Sequence, residues 1–518
     1  MRLVLGAMLI SGCSAPAPTS APAAPTSASE PSPAPALPPP AESSQAVLDA
    51  CDTELQSRAM REWQVPEWDT LELNACYELT LELQPENQAY TGTARVTFVN
   101  PSGGELSDVV FRVYPNARVI YGGALDITSA QIDGQKIAPE AFLIDETALR
   151  LPLAQALPAG ATAVIVLTFA GRLPGDFGSG DTYGVFNYVS DEPLMTLTNW
   201  FPILAAWLDG QWDARRVLAE GDAVVSEVAL YRVQLSAPNT WKVAATGSLV
   251  NRAARGGSTQ YEFVSGPVRD FNVIASPAFV TQETQVGGVR IVHWGLPGGE
   301  DSWDSLLEVA RDSLAVFDER FGAYPYAELD VVALPLQNAS GVEFPGLIMI
   351  GASLYSGDES GRSLPVTVAH EVAHQWWYAV VGNDVLESPW QDEGLTTFSS
   401  TLYFEENDPP FYEGLLGFYR DRFSDFENEQ GDEPIAQPVG AFRGRGDAYG
   451  MIVYVKGALF FDALRDQIGD EAFFGALRAY FDENRYRLVG PEALLNAFED
   501  SCGCNLEVYY EEWGVVAP

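Results

Sequence analysis

The sequence predicts a multidomain α+β protein: an N-terminal all-β domain of sandwich or saddle form, then an α-rich domain with a small sheet. Three observations carry this. The chain has 518 residues, more than one hydrophobic core usually organises. From about Thr70 to Val280 its apolar residues recur mostly with period two. Beyond that they recur with the spacing of a helix face.

The elements follow in chain order. Met1-Arg2, an apolar run from Leu3 to Ile10 and Ser11-Gly12-Cys13 have the layout of an export signal over residues 1–12. The Ile-Ser-Gly-Cys ending resembles the lipobox of bacterial lipoproteins, which implies a lipidated Cys13. Residues 13–45 are rich in Ala, Pro, Ser and Thr and read as an extended tether. No later segment is long and apolar enough to span a bilayer. The expectation is an extracytoplasmic protein held at a membrane surface, on the cell surface or in the periplasm, by its lipid anchor.

Residues 46–282 form the expected β domain. Tyr77 to Leu83 and Tyr231 to Leu235 alternate apolar and polar residues, and Ala163 to Phe169 is a β-branched run. Pro101-Ser102-Gly103-Gly104 marks a turn. Residues 283–518 form the second domain. Val289 to Trp294 and Leu329 to Leu334 read as strands. Helical spacing covers Ser305 to Phe321, Val366 to Val380, Tyr454 to Leu464, Glu471 to Phe481 and Pro491 to Asp500.

Seventy-one acidic residues against 29 basic give a formal net charge of −42. Such a surface repels a phosphate backbone and argues against nucleic acid as a partner. Setting Cys13 aside, four cysteines remain, an even number that suits disulfides in an oxidising compartment. Cys51 with Cys76 and Cys502 with Cys504 is the simplest of three pairings.

Chemistry concentrates in His370-Glu371-Val372-Ala373-His374. On a helix, residues four apart share a face, so both imidazoles reach one zinc ion. Glu371 is then placed to take a proton from water. The chain has three histidines, and two are here; the third, His293, lies in a strand pattern and reads as structural. A catalytic zinc takes a third protein ligand and keeps one position open. Trp390-Gln391-Asp392-Glu393-Gly394 supplies it as Glu393. The stretch from His374 to Glu393 is long enough to finish one helix, turn and return a carboxylate on the next. The expected cofactor is one zinc ion per chain, with hydrolysis by activated water. An oxyanion donor is also needed, and Tyr449 and Tyr454 are the candidates.

These residues resemble the zinc aminopeptidases of the aminopeptidase N type, a family that includes leukotriene hydrolases. Its metal-binding pattern is HExxH-x18-E, the spacing from His370 through Glu393, and a Tyr-x-Lys-Gly run follows further along the chain. Tyr454-Val455-Lys456-Gly457 matches that run, at the family's distance beyond the glutamate. The resemblance implies that Tyr454 stabilises the transition state, with Tyr449 as helper. It also aligns the family's Gly-x-Met-Glu-Asn strand with Ser340-Gly341-Val342-Glu343-Phe344. Gly341 and Glu343 become substrate-binding positions, Glu343 for the substrate's free α-amino group. Ser340, Val342 and Phe344 depart from the pattern, standing for its Gly, Met and Asn. The family further implies a β-saddle domain, a thermolysin-like catalytic domain and peptide substrates. A long C-terminal helical domain, found in many members, has no counterpart after Trp513, so a more open cleft is expected. The competing readings are a zinc endopeptidase or epoxide hydrolase on the same scaffold, and a metal-free peptide-binding protein.

Overall fold

The structure, a computed structural model, describes residues 43–516 except 138–140, 144–145, 179–181 and 357–361. The expected signal peptide and Cys13 lie outside the described residues, as does the tether up to residue 42. Its last expected residues belong instead to a helix, Ser43–Ala50, in which Val47 and Leu48 are buried. A disulfide from Cys51 to Cys76 ties this helical prelude to the first strand.

Alternation along Ala75–Gln84 buries Tyr77, Leu79, Leu81 and Leu83 and leaves Glu78, Thr80 and Glu82 outside. That strand lies inside an eight-stranded sheet. The order is Ser248–Arg255, Ser258–Val264, Leu230–Pro238, Ala75–Gln84, Ala89–Val99, Thr162–Arg172, Ala124–Ile132 and Gln135–Ile137. Only the pairing of Ala75–Gln84 with Leu230–Pro238 is parallel within this sheet. Two four-stranded sheets and a two-stranded one, Trp207–Leu208 with Gln211–Trp212, complete the β half among the described residues. Aromatic side chains fill the space between, with Trp200 edge-on to Tyr90 and Phe201 and fully buried.

The second half opens with a five-stranded sheet ordered Val280–Val286, Val289–Gly295, Glu328–Leu334, Leu347–Gly351 and Gly341–Val342. The expected boundary after residue 282 is corrected here. It falls inside Val280–Val286, which pairs antiparallel with Val289–Gly295. A hairpin shares its backbone hydrogen bonds and cannot be divided between domains. Gly341–Val342 forms the outer, antiparallel edge. Helices Trp303–Phe321, Ser363–Ala373, Leu395–Asn407, Pro409–Gln430, Gly457–Ile468, Asp470–Asn484 and Pro491–Cys502 make up most of the rest. No helix among the described residues is long and apolar enough to cross a membrane. Cys502 and Cys504 are joined, the second expected disulfide.

One helix is shorter than its periodicity suggests. The pattern runs to Val380, but the helix stops at Ala373. The fully buried Arg269 of the β half explains this. Its guanidinium donates to the carbonyls of Tyr378 at 2.6 Å, Arg487 at 2.7 Å and Ser226 at 2.9 Å. The Tyr378 hydroxyl donates to Asp270 at 2.7 Å. A carbonyl turned towards arginine cannot serve a helix, and Tyr378 takes a positive φ of 114°. The two halves are thus stitched together one turn past the histidine motif.

His293 is structural, as its strand pattern suggests. It is fully buried, donates through Nδ1 to the Val331 carbonyl at 2.9 Å and stacks on Tyr355. Burial pushes its pKa down to about 4, against a partly opposing hydrogen bond to Val331. The folded chain keeps this ring neutral where the unfolded chain protonates it. Its share of stability is therefore complete above the ordinary value of 6.5 and is lost as pH falls from there towards 4. In denaturant titrations, His293→Phe should remove up to about 3 kcal/mol of the stability change across that window. Equal acid sensitivity of the two proteins would contradict this.

Candidate metal centre and cleft

The helix Ser363–Ala373 buries Val368, Ala369, Val372 and Ala373 against the core. That stripe fixes its rotation and turns His370 and His374 to one side, His374 as the capping residue. Glu393 comes from a π-helical turn, Trp390–Gly394, that runs into the helix Leu395–Asn407. Trp390 anchors the turn between Phe460 and Phe461, at ring distances of 5.9 and 6.0 Å.

A second π-helical segment, Gly450–Lys456, crosses directly behind. Gly394 and Gly457 make the crossing possible. A β-carbon on Gly457 would sit 2.9 Å from Gly394 Cα, and one on Gly394 3.0 Å from the Val453 carbonyl oxygen. Because the backbones touch, the Tyr454 hydroxyl reaches Glu393 and donates to its Oε1. The Tyr454 ring lies nearly parallel to His370 at 6.1 Å. Lys456, in the same run, is buried and pairs with Asp432 at 2.6 Å, which holds the segment down.

The three expected ligands converge. His370 Nε2 lies 3.1 Å from His374 Nε2 and 3.2 Å from Glu393 Oε2, and His374 Nε2 lies 3.4 Å from Glu393 Oε2. A tetrahedral ion with bonds of about 2.0–2.1 Å holds its ligand atoms roughly 3.3 Å apart, so this triangle fits zinc. The chemistry of the donors fits too, two imidazoles and one carboxylate with a side left open. The rear nitrogen of His374, Nδ1, is 2.9 Å from Asp392 Oδ1 and 3.1 Å from the Trp377 carbonyl oxygen. Such a partner orients a ligating imidazole.

Glu371 is buried beside this triangle, and its Oε2 has no hydrogen-bond partner among the described residues. Gly341 makes room for it, since a β-carbon there would stand 2.3 Å from Glu371 Oε1. Glu343, on the loop after the edge strand, brings an oxygen into one group with Glu371 and His374, all within 4.8 Å. Gln375 fixes that loop. Its Oε1 accepts from Gly346 N at 2.8 Å, and its Nε2 donates to the Phe344 carbonyl at 3.2 Å.

Charge follows from burial and pairing. Burial alone would raise the Glu393 pKa, but hydrogen bonds from His370 and His374 hold it well below the usual carboxylate range. Burial pushes Glu343 up to about 7. Glu371 is also raised, chiefly by burial. Burial disfavours the His374 cation, but the charge of Asp392 and its neighbours outweighs it and raises that pKa.

The structure thus gathers His370, His374, Glu393, Glu371, Glu343, Gly341 and Tyr454 at one cleft. Tyr449 stands behind Tyr454, edge-on at 5.7 Å, with its hydroxyl buried and without a partner among the described residues. Sequence reading passes over Asp392, Gln375 and Asp222. The first two adjoin metal ligands in the chain, and the need of a ligating imidazole for a rear acceptor is the signal that finds Asp392. Asp222 gives no such signal, because it arrives from the other half of the molecule.

A helical catalytic half with this triangle belongs to the HExxH class that takes a distant glutamate as third ligand. Residues 306–513 match the peptidase family M1 domain. Aminopeptidase M1-A of Oryza sativa subsp. japonica is 25% identical over 381 residues, 69% of this chain and 41% of the relative. Aminopeptidase N of Streptomyces lividans is 25% identical over 219 residues, 40% of this chain and 26% of the relative. The chain therefore spans less than half the length of these relatives. The crystal structure of an M1 zinc metallopeptidase from Deinococcus radiodurans has the same fold. Its TM-score is 0.63 at 22% identity, covering 86% of this chain and 95% of that one.

Gly341→Ala should drive the Glu371 carboxylate out of place while leaving the metal ligands alone. The expected outcome is unchanged metal content and a kcat lower by about 100-fold or more. Wild-type turnover in that variant would show that the close approach is immaterial.

Proposed function

We propose that this protein is a zinc-dependent aminopeptidase that removes N-terminal residues from peptides. The observation that carries the reading is the triangle of His370, His374 and Glu393, with an orphaned Glu371 acceptor at its side. Among the structural neighbours, a variant of the Deinococcus radiodurans metallopeptidase is described as bound to a Tyr-Ser-Ala substrate. That supports peptides as the substrate class here.

His370, His374 and Glu393 would hold one zinc ion. Zinc, when bound, supplies Lewis acidity and makes water a better acid. Glu371 takes the proton from the attacking water and passes it to the departing amine. Tyr454 turns its hydroxyl towards the oxygen that gains negative charge. Tyr449 keeps the Tyr454 ring in place from behind. Glu343 pairs with the substrate's ammonium and so selects the first peptide bond, with Gly341 leaving the Glu371 carboxylate free to work.

Glu371→Gln tests this directly. It should retain about one zinc per chain by metal analysis and lose at least about 100-fold in kcat on aminoacyl amides. The wild type should cleave free-amine peptides and spare N-acetylated ones. Loss of zinc in the wild type, or equal cleavage of both peptide forms, would remove the aminopeptidase reading.

We further propose that the chain is exported and anchored at a membrane surface through a lipid on Cys13. The small residues before that cysteine and the Pro/Ala/Ser run after it support this. Expressed in a bacterium, the full chain should partition into detergent and Cys13→Ser should not. Identical partitioning would exclude the anchor.

A further inference from the structure

His374 and Glu393 sit on different elements, so the chain between them decides where the third donor arrives. Two arginines of the β half hold that stretch. Arg269 takes its first part, through the carbonyls of Tyr378 at 2.6 Å and Val380 at 3.4 Å. Gly382 lies against the same guanidinium, where a β-carbon would meet Arg269 Cζ at 2.2 Å. Arg215, just past the strand Gln211–Trp212, takes the last part. Its Nη1 donates to Asp384 Oδ2 at 2.9 Å and its Nη2 to Asp384 Oδ1 at 3.0 Å, a two-pronged pair across the domain boundary. Next to that pair, Val385 and Leu386 are buried in a cluster with Ala206 and Val225 of the β half.

Asp384 opens the turn that leads to the third ligand. Its Oδ1 accepts from the backbone N–H of Leu386 at 3.2 Å and of Glu387 at 3.3 Å. Its carbonyl accepts from Ser388 N at 2.8 Å. The Ser388 carbonyl accepts in turn from Gln391 N at 3.1 Å and from Asn383 Nδ2 at 2.9 Å. Gln391 already belongs to the π-helical turn Trp390–Gly394 that carries Glu393. A shift of Asp384 is therefore passed on to the base of that turn.

Arg215 is itself held from behind. Asp213, 5% exposed, accepts from its Nε at 2.9 Å and from its Nη2 at 3.2 Å. Burial would raise the Asp213 pKa, but Arg215 outweighs it and holds the carboxylate ionised. Buried Arg112 donates to the Asp213 carbonyl at 3.3 Å and to the Arg215 carbonyl at 2.9 Å. All three guanidinium nitrogens of Arg215 are engaged, so the plane of the group is fixed. Glu387 also lies 3.2 Å from Nη1, but it is 59% exposed and adds little.

Resting on the zinc reading given above, we propose that Arg215 is a positioning residue for the metal centre. Through Asp384 it sets where Glu393 stands relative to His370 and His374. The β half then takes part in metal binding without supplying a ligand, as a partner behind a ligand does. Coupling of this kind is reciprocal, so a bound ion must also tighten the contact of Arg215 with Asp384.

The test uses the full-length protein with Asp384→Asn, Arg215→Gln, the two combined, and the conservative Arg215→Lys. Asp384→Asn is the mildest of these. Its amide oxygen still caps the turn, and Arg215 still pairs with buried Asp213. The zinc Kd is read by competition with a chelator of known affinity, and thermal melting is followed on the zinc-free proteins. Asp384→Asn and Arg215→Gln should each weaken zinc binding by about 10- to 100-fold. The double variant should be no weaker than Arg215→Gln alone, because both changes break one contact. Arg215→Lys should recover part of the loss, and zinc-free Asp384→Asn should melt with the wild type. Zinc should slow amide hydrogen exchange over residues 384–388 in the wild type, and less so in Asp384→Asn. An unchanged zinc Kd in Asp384→Asn would overturn the proposal, even if Arg215→Gln fails to fold. Weaker zinc binding that comes with earlier melting of zinc-free Asp384→Asn would overturn it as well, in favour of a general loss of folding. If the wild type binds no zinc, the zinc reading and this proposal fall together. If the wild type binds zinc and Asp384→Asn binds it equally well, only this proposal falls.

Discussion

Two imidazoles on one face of a helix grip an ion only when a third donor is brought to them, and here that donor is carried by a crossing of two backbones. Gly394 and Gly457 allow the segments Trp390–Gly394 and Gly450–Lys456 to touch without side chains between them. That contact sets the height of Glu393 above His370 and His374. It also sets the reach of Tyr454, whose hydroxyl meets the same carboxylate. Both segments are π-helical, a conformation that ordinary packing rarely favours and that recurs where a side chain must be re-aimed. Buried Trp390 and buried Lys456 anchor the two from behind.

The β half does more than sit beside this arrangement. Arg269 reaches across and takes the carbonyls of Tyr378 and Val380, just past the histidine helix. Each of those carbonyls is buried and needs a donor, so the arginine and the irregular turn require each other. The loop 219–222 makes a second crossing nearer the cleft, through Glu220 and Gly221. The cleft floor belongs to one half and part of its wall to the other, so its shape follows from how the two are docked.

Charge in the cleft is strongly unbalanced. Asp222, Glu343, Glu371, Asp392 and Glu393 crowd around two histidines. Folding tolerates this because some of the carboxylates are matched, Glu393 by the imidazoles and Asp392 by the rear of His374. The remainder face the space where a substrate would lie. A site that concentrates negative charge beyond what its own residues neutralise favours a cationic visitor and disfavours phosphate.

Much of this was legible in the chain itself. The period of two around Tyr77 and Leu79, and the helical spacing from Leu306 to Phe321, fix which face of each element is buried, and burial fixes the two architectures. His370, Glu371 and His374 are legible because a helix turns every 3.6 residues wherever it is placed. Glu393 and Tyr454 are legible by resemblance, through their places along the chain after the histidine motif. Other features had to wait for the fold. The early end of the helix at Ala373, the hairpin that begins at Val280 and the arrival of Asp222 all depend on a partner remote in sequence. Local periodicity reports what a segment prefers by itself. Arg269 and the loop 219–222 act across the boundary between the halves, and only close packing decides which carbonyl, or which carboxylate, ends up facing them.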